Sequence, residues 1–397
     1  MTIINKWDKS IPVEKSSYIN DADIKLYNVE NASFSNNTPK LIDLFCGAGG
    51  FSVGCNWAGV ESVIGIDHFE PAIKTWTKNH PHSIGCLGDI CKIEPAEIAN
   101  LLNTKGINKI DIITGGVPCQ GFSRANRKHI DHDDRNFLFL EYMKFVEYFK
   151  PSYILLENVS GMRSTAGGQF EEAIKAYMEE LGYIVNVKLI NAADYGVPQI
   201  RHRLIFVGVH TSISRIPYEF PIGTYVNNYN TVKDAISDLP ILENNEEKIK
   251  YENKAITNYQ KLMRGELDYI KINKPKLLTN HRAPNHPINT INKIDSTIPG
   301  KPMYERFKQR IRLDLNSPSP TQLAGGIRPQ FQFGHPTQPR GLTIRERARI
   351  QSFPDEYIFL GGIVQERVQT GNAVPPLMVY ELIKPIVDSI NKSKKGV

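Results

Sequence analysis

Leu41-Ile42-Asp43-Leu44-Phe45-Cys46-Gly47-Ala48-Gly49-Gly50-Phe51-Ser52 is an apolar strand that runs straight into a glycine-rich turn. In a doubly wound α/β sheet, the first strand-to-helix turn is where a dinucleotide or nucleoside binds. The apolar runs Val63–Ile66, Ile110–Ile113, Tyr153–Leu156, Ile184–Ile190 and Leu204–Val209 read as further strands. Helix-like segments lie between them at Pro71–Asn79, Pro95–Leu102, Phe137–Phe149 and Phe170–Leu181. This alternation predicts a doubly wound, mostly parallel sheet. A loop, not a helix, separates the last two runs, which predicts an antiparallel pair at one edge.

The glycine turn departs from the dinucleotide signature. GxGxxG needs a third glycine at position 52, where Ser52 stands, so the backbone cannot approach a pyrophosphate as closely. A nucleoside without a pyrophosphate suits the turn better. Asp67, ending the second strand, is placed for ribose hydroxyls. Asp89, in Gly88-Asp89-Ile90 after the third strand, is placed for an adenine amino group. An aspartate at a strand end commonly just caps the next helix. Two such acids together with the glycine turn point to an adenosyl cofactor.

With 397 residues the chain has room for two domains. A hydrophobic content of 41% with 23% charged residues describes a soluble globular protein. No apolar run approaches the length of a membrane span, and the first residues lack a signal-peptide pattern. All five cysteines (Cys46, Cys55, Cys86, Cys91 and Cys119) lie in the first third, without CxxC spacing. That excludes a disulfide framework or zinc site as the organising feature and predicts a reducing cytoplasm. The sequence divides into a polar, loosely ordered arm (1–39), a catalytic and cofactor domain (40–210), a second domain (211–365) and a C-terminal segment returning to the first domain (366–397). Within the second domain, residues 271–340 carry 12 Lys and Arg against only Asp295, Glu305 and Asp314. Tyr304, Phe307, Phe331 and Phe333 are interleaved with that charge, as on a polyanion-binding surface.

The chemistry concentrates in Gly115-Gly116-Val117-Pro118-Cys119-Gln120-Gly121-Phe122-Ser123, directly after the strand Ile110–Ile113. A lone cysteine usually packs as a small hydrophobe. Here its neighbours are Gly, Pro, Gln and Ser, and the carboxyl end of a strand is where such folds react, so Cys119 reads as a nucleophile. Glu157-Asn158-Val159 follows the strand Tyr153–Leu156 at the same sheet edge. In Gln199-Ile200-Arg201-His202-Arg203, alternation on an extended segment puts Gln199, Arg201 and Arg203 on one face. Thiol, carboxyl and guanidinium together suit attack on a planar heterocycle, its protonation and its orientation.

The ordered set of these motifs, closed by Gln369-Thr370-Gly371-Asn372-Ala373-Val374-Pro375-Pro376, resembles the DNA (cytosine-5)-methyltransferase family over residues 41–209 and about 341–376. The resemblance implies an S-adenosylmethionine-dependent, Rossmann-like catalytic domain with a smaller irregular DNA-recognition domain. It implies Cys119 as nucleophile toward cytosine C6, Glu157 at N3 and the exocyclic amine, Arg203 at O2, and Arg201 as support. Cofactor contacts would fall on Phe45, Gly47, Gly49, Gly50, Asp67, His68, Asp89, Ile90, Pro118, Leu138, Asn372 and Ala373. Asp67 and His68 stand where members often carry Glu and an aromatic. The target base would flip out of double-stranded DNA. Gln120, Ser123, Arg124, Arg127, Lys128 and Arg135 would contact that DNA from the loop after Cys119, and Lys301, Arg306, Lys308 and Arg310 from the second domain.

An RNA methyltransferase of the same fold is the nearest rival, but the tRNA-directed branch carries a Cys-Phe-Thr element, and this chain has no cysteine after Cys119. A non-catalytic DNA-binding regulator should have lost the nucleophile or the cofactor turn, and both are intact. An NAD-dependent enzyme is disfavoured by Ser52. The reading is a monomeric modification enzyme of a bacterial restriction–modification system, partnered by a restriction endonuclease of the same target.

Overall fold

The computed structural model describes residues 13–14, 19, 21, 23–118, 138–163, 169–324 and 331–394. These form two compact units. One holds the described residues up to Asn191, His202–Ile222 and those from Val379 on, and the other holds Ala192–Arg201 and Gly223–Met378. The sequence-based boundaries differ: residues 211–222 stay with the first unit, and the chain returns to it at Val379 instead of 366.

The first unit is built on a sheet of β1 (Val13–Glu14), β2 (Lys25–Tyr27), β3 (Lys40–Leu44), β4 (Glu61–Asp67), β5 (Ile84–Leu87), β6 (Ile112–Gly115), β7 (Tyr153–Val159), β8 (Tyr183–Asn191) and β9 (His202–His210). The order is β1-β2-β5-β4-β3-β6-β7-β9-β8. The five central strands β5, β4, β3, β6 and β7 are parallel, while β8 and β9 form the expected antiparallel pair. Every residue of β3 is buried, as a central parallel strand covered on both faces requires. The sheet alternates with helices α1 (Gly50–Trp57), α2 (Glu70–Asn79), α3 (Pro95–Thr104), α4 (Leu138–Phe149) and α5 (Gln169–Glu180). α3 starts where its sequence says it should: Pro95 opens the first turn, and Glu94 and Glu97 form a reciprocal capping box. α4 turns Tyr142, Met143, Phe145 and Val146 inward.

One expectation fails at the amino end. Residues 24–27 are not a loose arm, because β2 pairs antiparallel with β5, and Leu26 and Tyr27 are fully buried. Lys25-Leu26-Tyr27 is too short and polar-flanked to announce itself. It becomes a strand because the edge of β5 has unpaired backbone groups that another strand satisfies.

The second unit contains α6 (Val232–Ile236), α7 (Asn258–Met263), α8 (Ile288–Asp295), the short strands β10 (Ile311–Arg312) and β11 (Phe333–Gly334), α9 (Ile344–Ile350) and α10 (Ile363–Asn372). Thr231, Thr257 and Thr343 cap α6, α7 and α9. The helix α11 (Pro376–Lys394) belongs to the first unit from Val379 on, where its Ser389 Oγ accepts from Tyr153 Oη at 2.7 Å and its Leu382 carbonyl accepts from Tyr218 Oη at 2.7 Å. No helix among the described residues is long and apolar enough to cross a membrane.

Candidate active site

The turn after β3 is held from below by one carboxyl group. Asp43, fully buried, accepts from Ser52 Oγ (2.6 Å), Ser52 N (3.2 Å) and Thr114 Oγ1 (2.9 Å). Ser52 Oγ in turn accepts from Trp76 Nε1 at 2.9 Å. The serine that spoils the dinucleotide signature is therefore a network node joining β3, α1, α2 and β6. Trp76 reaches it by lying across Gly65, where an added Cβ would come within 2.5 Å of the indole. Burial pushes the Asp43 carboxyl up to about 7, against the pull of its hydrogen bonds.

Above that network the backbone turns sharply. Phe45, Gly47 and Gly49 have φ of 53°, 53° and 92°. A left-handed phenylalanine is uncommon, and such strain gathers at functional sites. A Cβ on Gly47 would meet nothing within 4 Å, so open space lies over the turn. Asp67 steadies it: one carboxylate oxygen accepts from Gly47 N at 2.8 Å and the other from Phe69 N at 2.8 Å. Burial raises the Asp67 pKa. His68 is exposed beside it, with Nδ1 3.6 Å from Asp67 Oδ1. Asp89 is exposed and does cap, accepting from Cys91 N at 3.1 Å, while Ile90 beneath it is buried.

At the next strand ends the sequence places its chemistry. Glu157 on β7 and Arg203 on β9 are diagonal neighbours, since Val159 stands opposite Arg203 and Glu157 opposite Ile205. They form an ion pair, Arg203 Nε to Glu157 Oε1 at 2.5 Å, with each side chain 11% exposed. Gly116 lies against this carboxyl group: its Cβ position is 3.6 Å from Glu157 Oε2. Asn158 Nδ2 donates to the Val117 carbonyl at 3.2 Å. Two residues of the Glu-Asn-Val motif thus meet the backbone that leads through half-buried Pro118 to Cys119. Cys119, Gln120, Ser123, Arg124, Arg127, Lys128 and Arg135 lie outside the described residues. Leu138, half-buried, opens α4.

All four described thiols are held toward the protonated form. Burial pushes Cys46 and Cys55 well above the usual thiol range, Cys86 to about 12 and Cys91 to about 11.

The sequence expects Gln199, Arg201 and Arg203 on one face. Gln199 and Arg201 belong to the second unit and Arg203 to the first. Gln199 Nε2 donates to Gln351 Oε1 and its Oε1 accepts from Gln322 N. Arg201, 1% exposed, donates to the carbonyls of Gln322 (3.2 Å) and Gly371 (3.0 Å). Ile200 N bonds Ser319 O and Ser319 N bonds Pro198 O, so strand pairing, not alternation alone, orients these side chains.

The family model of the C-5 cytosine-specific DNA methylases matches residues 39–388. The chain belongs to that family. It is 32% identical over 358 residues to the Type II methyltransferase M1.HphI of Haemophilus parahaemolyticus, covering 87% of this chain and 86% of that one. To M.DdeI of Desulfomicrobium norvegicum it is 33% identical over 378 residues, covering 87% and 88%. A prophage-encoded DNA modification methyltransferase from E. coli has a similar structure, with a TM-score of 0.72 at 26% identity, covering 89% of this chain and all of that one. The S. pombe Dnmt2 methyltransferase, at 16% identity and a TM-score of 0.59, shares the fold. This cytosine-C5 DNA methyltransferase is of the Type II restriction–modification kind, and its family implies S-adenosylmethionine as methyl donor.

Two methylase positions expected at the cofactor lie in the second unit: Asn372 is exposed at the end of α10, and Ala373 is buried, its carbonyl accepting from Gln351 Nε2 at 2.5 Å. Of the basic residues expected on DNA, Lys301, Arg306 and Lys308 are exposed. Arg310 is buried, 2% exposed, with its guanidinium 4.6 Å from the Phe307 ring centroid. Sequence reasoning also missed Asp43, Thr114, Trp76 and Asn158. For the first three the one available signal was Ser52, a polar residue at a glycine position.

Proposed function

We propose that Cys119 attacks C6 of a cytosine flipped out of a specific DNA duplex, with Glu157 and Arg203 holding the base. The Arg203–Glu157 ion pair, beside the backbone that leads to Cys119, carries this reading. The carboxyl group suits N3 and the exocyclic amine, and the guanidinium suits O2. A proton delivered by Glu157 toward N3 draws electrons into the ring as the sulfur–C6 bond forms, which makes C5 nucleophilic. Once C5 carries the methyl group, loss of the C5 proton to a base and β-elimination of the sulfur from C6 restore the ring and release the thiolate.

The Phe45–Gly50 turn, Asp67 and Asp89 fit an adenosyl group. The turn has open space above Gly47, and Asp89 keeps an exposed carboxylate for an amine. Asp67 spends both oxygens on backbone N–H groups, so a ribose contact there relies on its remaining lone pairs. Bound S-adenosylmethionine supplies an electrophilic methyl group for C5. The second unit, which holds the basic segment from Gly223 to Arg340, would bind and read the duplex, and methylation would protect it from a restriction endonuclease of the same target.

Tritiated-methyl incorporation into DNA tests the nucleophile. Cys119→Ser is expected to abolish transfer and keep DNA binding, while Cys55→Ser, at a buried thiol of α1, keeps transfer. Full activity in the Cys119 variant sinks the mechanism. Bisulfite sequencing of DNA from expressing cells shows the base and its context.

A further inference from the structure

In the second unit, the antiparallel ribbon Gly300–Arg312 is built to hold its tip still. Gly300 N bonds Arg312 O (2.7 Å), Arg312 N bonds Lys301 O (3.1 Å), and Met303 N bonds Arg310 O (2.8 Å). Arg310 N closes the turn on Phe307 O at 2.9 Å. At the base, Met303 packs with Ile294 and Phe331. There too Arg312 Nη1 donates to the carbonyls of Ile294, Asp295 and Thr297 at 3.1, 2.7 and 3.0 Å, capping the carboxyl end of α8. Near the tip, the buried Arg310 guanidinium lies 4.6 Å from the Phe307 ring centroid and 5.7 Å from that of Tyr304, pinning both rings. The exposed side chains of the ribbon are Lys301, Pro302, Glu305, Arg306, Phe307, Lys308 and Gln309.

A two-stranded ribbon fits the major groove of B-DNA, which is about 12 Å wide. Three of these seven exposed side chains are cations, complementary to a polyanion, against one acid. A tip already ordered loses little entropy on binding. We propose that this ribbon reads the target sequence, with Arg306 and Gln309 addressing base edges and Lys301 and Lys308 the flanking phosphates. Arginine matches guanine through two parallel donors and glutamine matches adenine through a donor and an acceptor, whereas lysine is a point charge suited to phosphate. The assignment deepens the proposed function and rests on the second unit binding duplex DNA.

Bisulfite sequencing first fixes the wild-type target. Fluorescence anisotropy then measures binding of the full chain to that duplex and to duplexes with one base pair changed. Arg306→Ala and Gln309→Ala are expected to lower the cognate-to-changed ratio about ten- to a hundredfold at one position each. Arg306→Lys keeps the charge but loses the fork, so the ratio falls while the salt slope stays. The double variant Lys301→Ala/Lys308→Ala weakens every duplex alike and lowers the salt slope by about 2. A ratio within about twofold of wild type in both Arg306→Ala and Gln309→Ala, or uniform weakening in both, overturns base reading by the ribbon. If wild-type protein protects no cytosine, the enzymatic reading fails instead. Duplexes selected by the protein from a random pool then supply the ratio by which the ribbon still stands or falls.

Discussion

Asp43 shows how much one side chain organises below the cofactor turn. Its carboxyl pKa, raised from about 4 to about 7, means that the folded state keeps a proton the unfolded chain gives up across that window. Stability therefore falls as pH rises from about 4 to about 7, by up to ~1.4 kcal/mol per unit from this group. Asp43→Asn carries no such proton. The melting temperature of wild type minus that of the variant is expected to decline as pH is raised from about 5 to about 8, and a flat difference contradicts the assignment. Glu157 is a different kind of residue, paired to Arg203 across neighbouring strands. If Glu157 delivers a proton as proposed, Glu157→Gln, which has none to give, is expected to slow methyl transfer by about 10²–10⁴-fold. Duplex affinity measured by anisotropy should stay near wild type, and unchanged turnover would exclude the proton-delivery role.

At the scale of the element, α9 reads as a helix from its sequence, but its burial is disguised. Thr343-Ile344-Arg345-Glu346-Arg347-Ala348-Arg349-Ile350 looks like a solvated, charged surface, yet every one of these residues is buried. Arg349 meets Asp238 Oδ1 at 2.8 Å and Asp355 Oδ1 at 2.6 Å, and both acids are fully buried. Arg347 instead donates to Thr370 Oγ1 and the Leu323 carbonyl, each at 3.0 Å, and burial followed by the charge of Arg367 lowers its pKa to about 9. Arg349→Met leaves Asp238 to Arg264 and Asp355 to Tyr251 and a more distant Arg345, and is expected to cost about 3–5 kcal/mol. Arg347→Met removes a desolvated cation bonded to neutral oxygens, so its cost should be less than half of that. Urea unfolding monitored by tryptophan fluorescence compares the two, and equal losses would contradict the distinction.

Across the molecule, the amino-terminal segment is the clearest gain from the structure. Deletion of residues 1–12 keeps β1 and β2, whereas deletion of 1–28 strips both and uncovers the edge of β5. The longer deletion is expected to make the protein aggregate and lower its melting temperature, since an open edge strand pairs with other chains. The shorter deletion should leave solubility unchanged. Size-exclusion chromatography with thermal melting separates the two, and a soluble, stable 1–28 deletion would make the segment dispensable.

The sequence by itself determined the parallel core of the sheet and the positions of the glycine turn and of Glu157. Each depends on local pattern: a continuous apolar run, a glycine turn, a polar residue at a strand's carboxyl end. Arg203, read from the sequence as a site residue, is carried back beside β7 by antiparallel β9. Only the tertiary structure decided that Arg201 serves two backbone carbonyls, that Arg310 is buried beside two aromatic rings, and that Ser52 belongs to a buried network. The physical reason is common to all three. A charged or polar side chain is soluble anywhere, so its identity does not say whether it is exposed, and its role is set by the hydrogen-bond partners that distant segments bring to it.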